Sequence, residues 1–157
     1  MTRSISGRVA ELGLTLEAAA APAANYVPFV QEGNLLYISG QISRQGGKPT
    51  FLGQLGNQVS EEDGVAAARL SGLGILSQVA AATGDRLDRV ARVVRLGVFV
   101  ASTPDFNRQS AVANGASDLM VEVFGDAGRH SRSAVGVASL PQGVAVEVEA
   151  VIALTPA

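Results

Sequence analysis

An α+β two-layer sandwich, with a mainly antiparallel sheet and two helices on one face, is the fold class this chain predicts. Three observations carry that expectation. Short β-branched runs flank turn residues near both ends, two long segments between them place apolar residues at helical spacing, and a Val-rich run separates those two segments. At 157 residues the chain is long enough for one domain with its own core, residues 1–157, of which 1–24 read as a leading helix and connector. Hydrophobic residues make up 47% and aromatics 4%, so the core must be built from Ala, Val, Leu and Ile.

Ser4 ahead of Ile5, Val9 and Leu12, with Gly13 behind them, predicts a short capped helix. Residues 15–24 follow as an Ala-rich connector ending near Pro22. Residues 25–30 and 35–39 read as strands around Glu32-Gly33-Asn34, with 40–42 extending the second, and the Gly-rich stretch 44–57 reads as a long irregular loop. Ser60 before Glu61, Glu62 and Asp63 is an N-cap with acids where the helix dipole favours them. The helix should run to about residue 82 with Leu73, Leu76, Val79 and Ala80 inward, and close packing on a sheet would explain Gly64, Gly72 and Gly74 inside it. Residues 90–100 predict a strand interrupted by Arg92 and Arg95, and 106–124 a second helix after Pro104-Asp105.

The last segment is the most informative. Residues 133–139 and 144–152 flank Leu140-Pro141-Gln142-Gly143 and predict a β-hairpin. Alternation puts Arg132, Ala134, Gly136 and Ala138 on one face of the first strand, while Glu147 and Glu149 interrupt the second. Three readings of these charges are open: a solvated sheet face, an ion pair at an interface, or a carboxylate-binding site in which a guanidinium fork stands above small side chains. In hairpin register Ser139 faces Val144, Glu147 faces Gly136 and Arg132 faces Val151. Arg132 and Glu147 are then about 13 Å apart along the sheet, too far to grip one small acid, so a working site would take them from different chains.

Composition removes several functions. With no cysteine there is no thiolate nucleophile, disulfide or cysteine metal site, and a reducing, cytoplasmic location fits. Net charge is −2 and the basic residues are dispersed, so no nucleic-acid footprint is expected. No signal-type segment leads the chain and no apolar run reaches the length of a bilayer span, so a soluble, unprocessed protein without a membrane partner is expected. Walker, GxGxxG and HExxH motifs are absent, and His130 is the single histidine, a candidate base or a capping residue. The glycines of 125–128 could cradle an anion or simply turn the chain.

Tyr26, Gly33-Asn34, Ser39-Gly40-Gln41, Val98-Phe99-Val100, Asp105-Phe106, Arg132-Ser133, Leu140-Pro141 and Val146-Glu147-Val148-Glu149 together resemble the RidA/YjgF family, also called the liver perchloric-acid-soluble protein or endoribonuclease L-PSP family, over residues 25–155. The resemblance implies a chorismate-mutase-like fold, a homotrimer with ligand clefts between subunits, and hydrolysis of reactive enamines or imines of amino acids, such as 2-aminoacrylate, to ketoacid and ammonia without a cofactor. It places the carboxylate-binding arginine on Arg132 and the water-positioning glutamate on Glu147. Tyr26 and Ser39 match pocket-lining positions. The chain departs from the pattern where a cysteine is Ala134, which offers only its backbone N–H, where the pocket asparagine is Ser110, and where a proline is His130. Asn114 to Ser117 and the His130-x-Arg132 pair resemble a divergent subgroup with a longer N-terminus. Two alternatives stand beside imine hydrolysis: binding of a small carboxylate or ketoacid without turnover in the same cleft, and the endoribonuclease activity of the family's name.

Overall fold

The computed structural model describes residues 3–157. Helix α1 (Ile5–Glu11) is capped by Ser4, whose hydroxyl accepts from the Gly7 N–H at 3.0 Å, and it buries Ile5 and Val9. An extended connector leads to β1 (Phe29–Glu32) and β2 (Leu35–Ile42), an antiparallel pair turning at Gly33 with φ +58°. Strand β1 starts later than residue 25 because Pro28 has no N–H for the ladder; its carbonyl still accepts from the Ser39 N–H. The loop expected at 44–57 contains a small ribbon, β3 (Arg44–Gln45) and β4 (Lys48–Pro49), closed by Gly46 and Gly47, both at positive φ.

Helix α2 (Glu61–Thr83) begins at Ser60, whose hydroxyl accepts from the Asp63 N–H, and ends at Gly84 in the left-handed region. After it come β5 (Val90–Ala101), α3 (Gln109–Phe124), β6 (Ser131–Val137) and β7 (Val146–Leu154). Irregular pairing in β5 falls beside Arg92 and Arg95, the two residues that break its Val pattern. The glycines of α2 do not all serve the sheet. Only Gly74 faces it, through Gln41, whereas Gly72 makes room for Ala116 and Leu119 of α3 and Gly64 for Leu55 and Val112.

The sheet order is β1-β2-β7-β5-β6, and this overturns the terminal hairpin. Strand β6 pairs in parallel with β5, and β7 pairs antiparallel with β5 on its other side and with β2. Helix α3 is the cause: it carries the chain back over the sheet, so β6 starts at the same end as β5 and runs beside it. The turn at Pro141–Gly143 does form, with Gln142 and Gly143 at φ +57° and +74°, but it takes the chain across the end of β5 instead of closing β6 on β7. The expected pairs therefore do not exist. Val144 bridges to Leu52, Glu147 pairs with Ile42 and Phe99, Gly136 with Val100, Arg132 with Leu96, and Val151 with Tyr37 and Arg95.

As the central strand, β7 explains its apolar residues on both faces. Val146, Val148, Ala150, Ile152 and Leu154 are buried on the face that packs against α2, while Glu147, Glu149, Val151 and Ala153 on the other face are only half-buried. That second face carries Val30, Tyr37 and Val135, each about half exposed at 50%, 47% and 47%, an apolar surface that no element among the described residues covers. One expectation about length also needs correcting. Helix α2 is long and apolar enough to span a bilayer, although here it is a core helix packed on the sheet and against α3.

Candidate functional site

Arg132 stands on β6 level with Leu96, which is fully buried, so its side chain leaves the sheet on the helix side and meets α3. Its Nη1 donates to Asn114 Oδ1 at 2.8 Å and to Ser117 Oγ at 3.0 Å, and its Nη2 to the Ser110 carbonyl at 3.2 Å. Asn114 and Ser117 lie three apart, on one side of the helix. Gly115 between them lets α3 approach α2, since a Cβ there would run into the Val65 carbonyl. A guanidinium has five N–H donors. Among the described residues Nε–H and one Nη2–H of Arg132 have no partner, so the fork is fixed by protein contacts and retains donors for an anion.

His130 joins the same cluster. Its Nδ1 lies 2.6 Å from the Gly128 carbonyl, which can only accept, so Nδ1 carries a proton; with the ring in that tautomer Nε2 is left to accept from the Ser117 hydroxyl at 2.8 Å. A directed chain follows, from Arg132 N–H to Ser117 Oγ and from Ser117 O–H to His130. The histidine thereby orients a hydroxyl that helps hold the arginine.

Glu147 occupies the opposite face. It is level with Phe99, across β5 from Val135, whereas Arg132 is level with Ala150. Two strand spacings and a three-residue offset separate their backbones by about 14 Å, and their side chains leave opposite sides of the sheet. One chain therefore does not bring Arg132 and Glu147 together. Glu147 is half-buried and among the described residues has no cationic partner; burial, then the negative charge of Glu149, raises its carboxyl above the usual range. Glu149 instead meets Arg95 at 3.5 Å. Gly40 makes Glu147's position possible, because a Cβ there would overlap Glu147 Oε1 and come within 2.8 Å of its Cδ. The irregular pairing of β2 between Ile38 and Gln41 spans this glycine.

Glu147 and Tyr26 line a cavity of about 350 Å³ between the connector, β2 and α2, together with Gly40, Gln41 and Arg44. The remaining expected residues sit elsewhere. Ser39 Oγ donates to the Val27 carbonyl at 2.8 Å, Ser110 contributes its carbonyl to Arg132 and no side-chain contact, and Ala134 packs against the core two residues from Arg132 on the same face. The reading of single positions passed over Gly40, Asn114 and Ser117 as candidate functional residues. Asn114 and Ser117 were visible as a motif, and their spacing on one helix side was the signal that they act together. Among the described residues no group of acidic or histidine side chains could hold a metal ion.

Known proteins resemble this chain in sequence and fold. Protein TCP17 of Trypanosoma cruzi is 54% identical over 154 residues, covering 95% of this chain and 96% of that protein. The crystal structure of Atu1372 from Agrobacterium tumefaciens, a protein of unknown function, superposes with a TM-score of 0.90 at 46% identity, covering 96% of this chain and 92% of that one. The Escherichia coli TdcF structure with bound serine superposes at 0.63 with 27% identity, covering 87% and 94%. The family described as "YjgF/chorismate_mutase-like, putative endoribonuclease" matches residues 6–149. With that match over most of its length, and with the sheet and helices found here, the chain belongs to the YjgF/chorismate mutase-like family.

Proposed function

We propose that this protein hydrolyses reactive enamine and imine intermediates of amino acids to ketoacid and ammonia, in clefts completed when neighbouring subunits of a homotrimer bring Arg132 beside Glu147. The observation that carries the reading is the division of the site: a fixed guanidinium with donors left over on one face and, on the other, a half-buried carboxylate without a cationic partner among the described residues. The half-exposed apolar face around Val30, Tyr37 and Val135 supports assembly. The serine bound in TdcF supports a small carboxylate as the ligand class.

The chemistry asks little of the protein. A 2-imino acid has an electrophilic carbon next to its carboxylate; Arg132 holds the carboxylate, and Glu147 accepts a proton from the attacking water. The carbinolamine forms as the C–O bond is made. The Glu147 carboxyl returns that proton to the nitrogen, which has taken the π pair of the C=N bond; Glu147 then takes the carbinolamine O–H proton and delivers it to nitrogen as the C–N bond breaks, so that ammonia leaves, the ketone remains and the carboxylate is restored, with one water consumed. A carboxyl raised by burial suits both steps. An enamine enters after protonation at its terminal carbon. RNA cleavage finds less support, since the one histidine is bonded to Gly128 and Ser117 and no second imidazole exists for an acid–base pair. The test is iminopyruvate generated in situ: ketoacid should appear faster with protein present and be unaffected by chelator. Imine decay at the buffer rate with saturating protein would leave carboxylate binding without turnover.

A further inference from the structure

The geometry points to a second reactive centre, in which Ser117 is a nucleophile and His130 its base, and which takes an acyl group from a carboxylic ester. It uses neither Glu147 nor a second subunit, so it does not rest on the imine reading. Ser117 Oγ and His130 Nε2 are 2.8 Å apart, and His130 Nδ1 is 2.6 Å from the Gly128 carbonyl. A nucleophile, a base and a third group that orients the base are the parts that activate a hydroxyl, here with a carbonyl in the orienting place. A serine inside a helix ordinarily turns its hydroxyl back to the carbonyl four residues earlier. In α3 the Ser117 hydroxyl meets the imidazole instead.

The pair is held from both sides. Gly128 is buried and pressed on α3, since a Cβ there would run into the Met120 carbonyl, and this close contact sets the carbonyl that fixes the ring. On the other side Arg132 Nη1 donates to the same Oγ at 3.0 Å, which favours the alkoxide. Its Nε–H and one Nη2–H have no partner among the described residues and supply donors for a carbonyl oxygen that becomes negative. Ser117 and His130 are partly exposed, and Asn114 one turn away is exposed, so an ester has access from solvent. As Oγ attacks the ester carbon, its proton passes to Nε2 and the π pair of the carbonyl moves to oxygen. That pair returns as the bond to the alkoxide breaks; the alkoxide leaves with the Nε2 proton and acyl-Ser117 remains. Water then follows the same path, releasing the acid and restoring the hydroxyl, with one water consumed.

The test is incubation of the full chain with para-nitrophenyl acetate, read by nitrophenol release and by peptide mass. An acetyl group should appear on the peptide that carries Ser117. Ser117→Ala should lose it, while iminopyruvate turnover, for which this serine only helps to hold Arg132, should fall about fivefold. A glutamine at position 130 can accept from the hydroxyl but takes no proton, so His130→Gln should slow acetylation about 10²-fold or more. Circular dichroism and light scattering first establish that these variants keep their fold and mass. Ser117→Cys gives a second reading, because the chain has no cysteine of its own. Its single thiol should react with iodoacetamide at least about threefold faster than free cysteine at neutral pH, and adding His130→Gln should reduce that gain. No acetylation, acetylation confined to Lys48 or the N-terminus, an unchanged rate in Ser117→Ala or His130→Gln, or a Ser117→Cys thiol no faster than free cysteine would each overturn the inference. Acetylation of Ser117 in a protein that leaves iminopyruvate at the buffer rate would support it and count against the imine reading alone.

Discussion

The surroundings of Arg132 and those of Glu147 solve opposite problems with charges on the same sheet. Around Arg132 three residues of α3 accept its donors, and His130 orients one of them, so the guanidinium is held before any ligand arrives. Around Glu147 the protein supplies space and removes water: Gly40 has no side chain to fill it, among the described residues no cation pairs with the carboxylate, and burial raises its proton affinity. A ligand-orienting group needs rigidity, whereas an acid–base group needs a proton affinity near working conditions. In the proposed reaction each half is incomplete alone, since the two stand on opposite faces.

The comparison breaks most readily at Gly40. Gly40→Ala places a methyl group where the Glu147 carboxyl lies, and the carboxyl, as the end of a flexible chain, swings away. Turnover should fall by about 10²-fold, the effect of a misplacement near 1 Å, while the melting temperature changes little. Equal activity in Gly40→Ala would separate Glu147 from the chemistry. Arg132→Lys comes next. An ammonium cannot present two parallel donors, so about 1.5–3 kcal/mol should be lost for each charged hydrogen bond removed, read from kcat/KM.

Smaller effects sharpen the same contrast. Asn114→Ala and Ser117→Ala each remove one contact that holds Arg132 and should cost about 1 kcal/mol in kcat/KM, with the two less than additive because they share one guanidinium. If either variant lost stability without any change in kinetics, the cluster would be structural only. The smallest effect is thermodynamic. The Glu147 carboxyl titrates above its ordinary value of 4.5 in the folded chain, so folding favours its protonated form. Its contribution is fully present below the unfolded value and is lost as pH rises through the folded one. Glu147→Gln should therefore be more stable than wild type at neutral pH, with the difference disappearing below about pH 4.5 in denaturant titrations.

Local elements were legible in the residues where caps and periodicity spoke together. Ser4, Ser60 and Gly84 mark helix ends in the sequence and do so in the fold, and the turn at Gly33 joins the strands expected on either side of it. The turn at 140–143 was equally legible, but which strand lay beside which was not. A turn reports only that the chain reverses. The partner of β6 is decided by the crossover through α3, which depends on how two helices pack over the sheet. The expectation that Arg132 and Glu147 do not meet in one chain stands on different ground from the hairpin register that suggested it. Their separation arises from opposite faces, and neither face was assigned until the neighbours of each strand were known.

Assembly is the central claim, and subunit mixing tests it most directly. Arg132→Ala and Glu147→Ala proteins, each inactive alone and each a trimer by light scattering, are dissociated, mixed and reassembled. Hybrid trimers should regain part of the iminopyruvate hydrolysis, because some clefts then combine an intact Arg132 from one chain with an intact Glu147 from another. Mixtures that stay inactive after subunit exchange has been verified by mass would contradict the account, as would a ligand complex in which one chain supplies both groups.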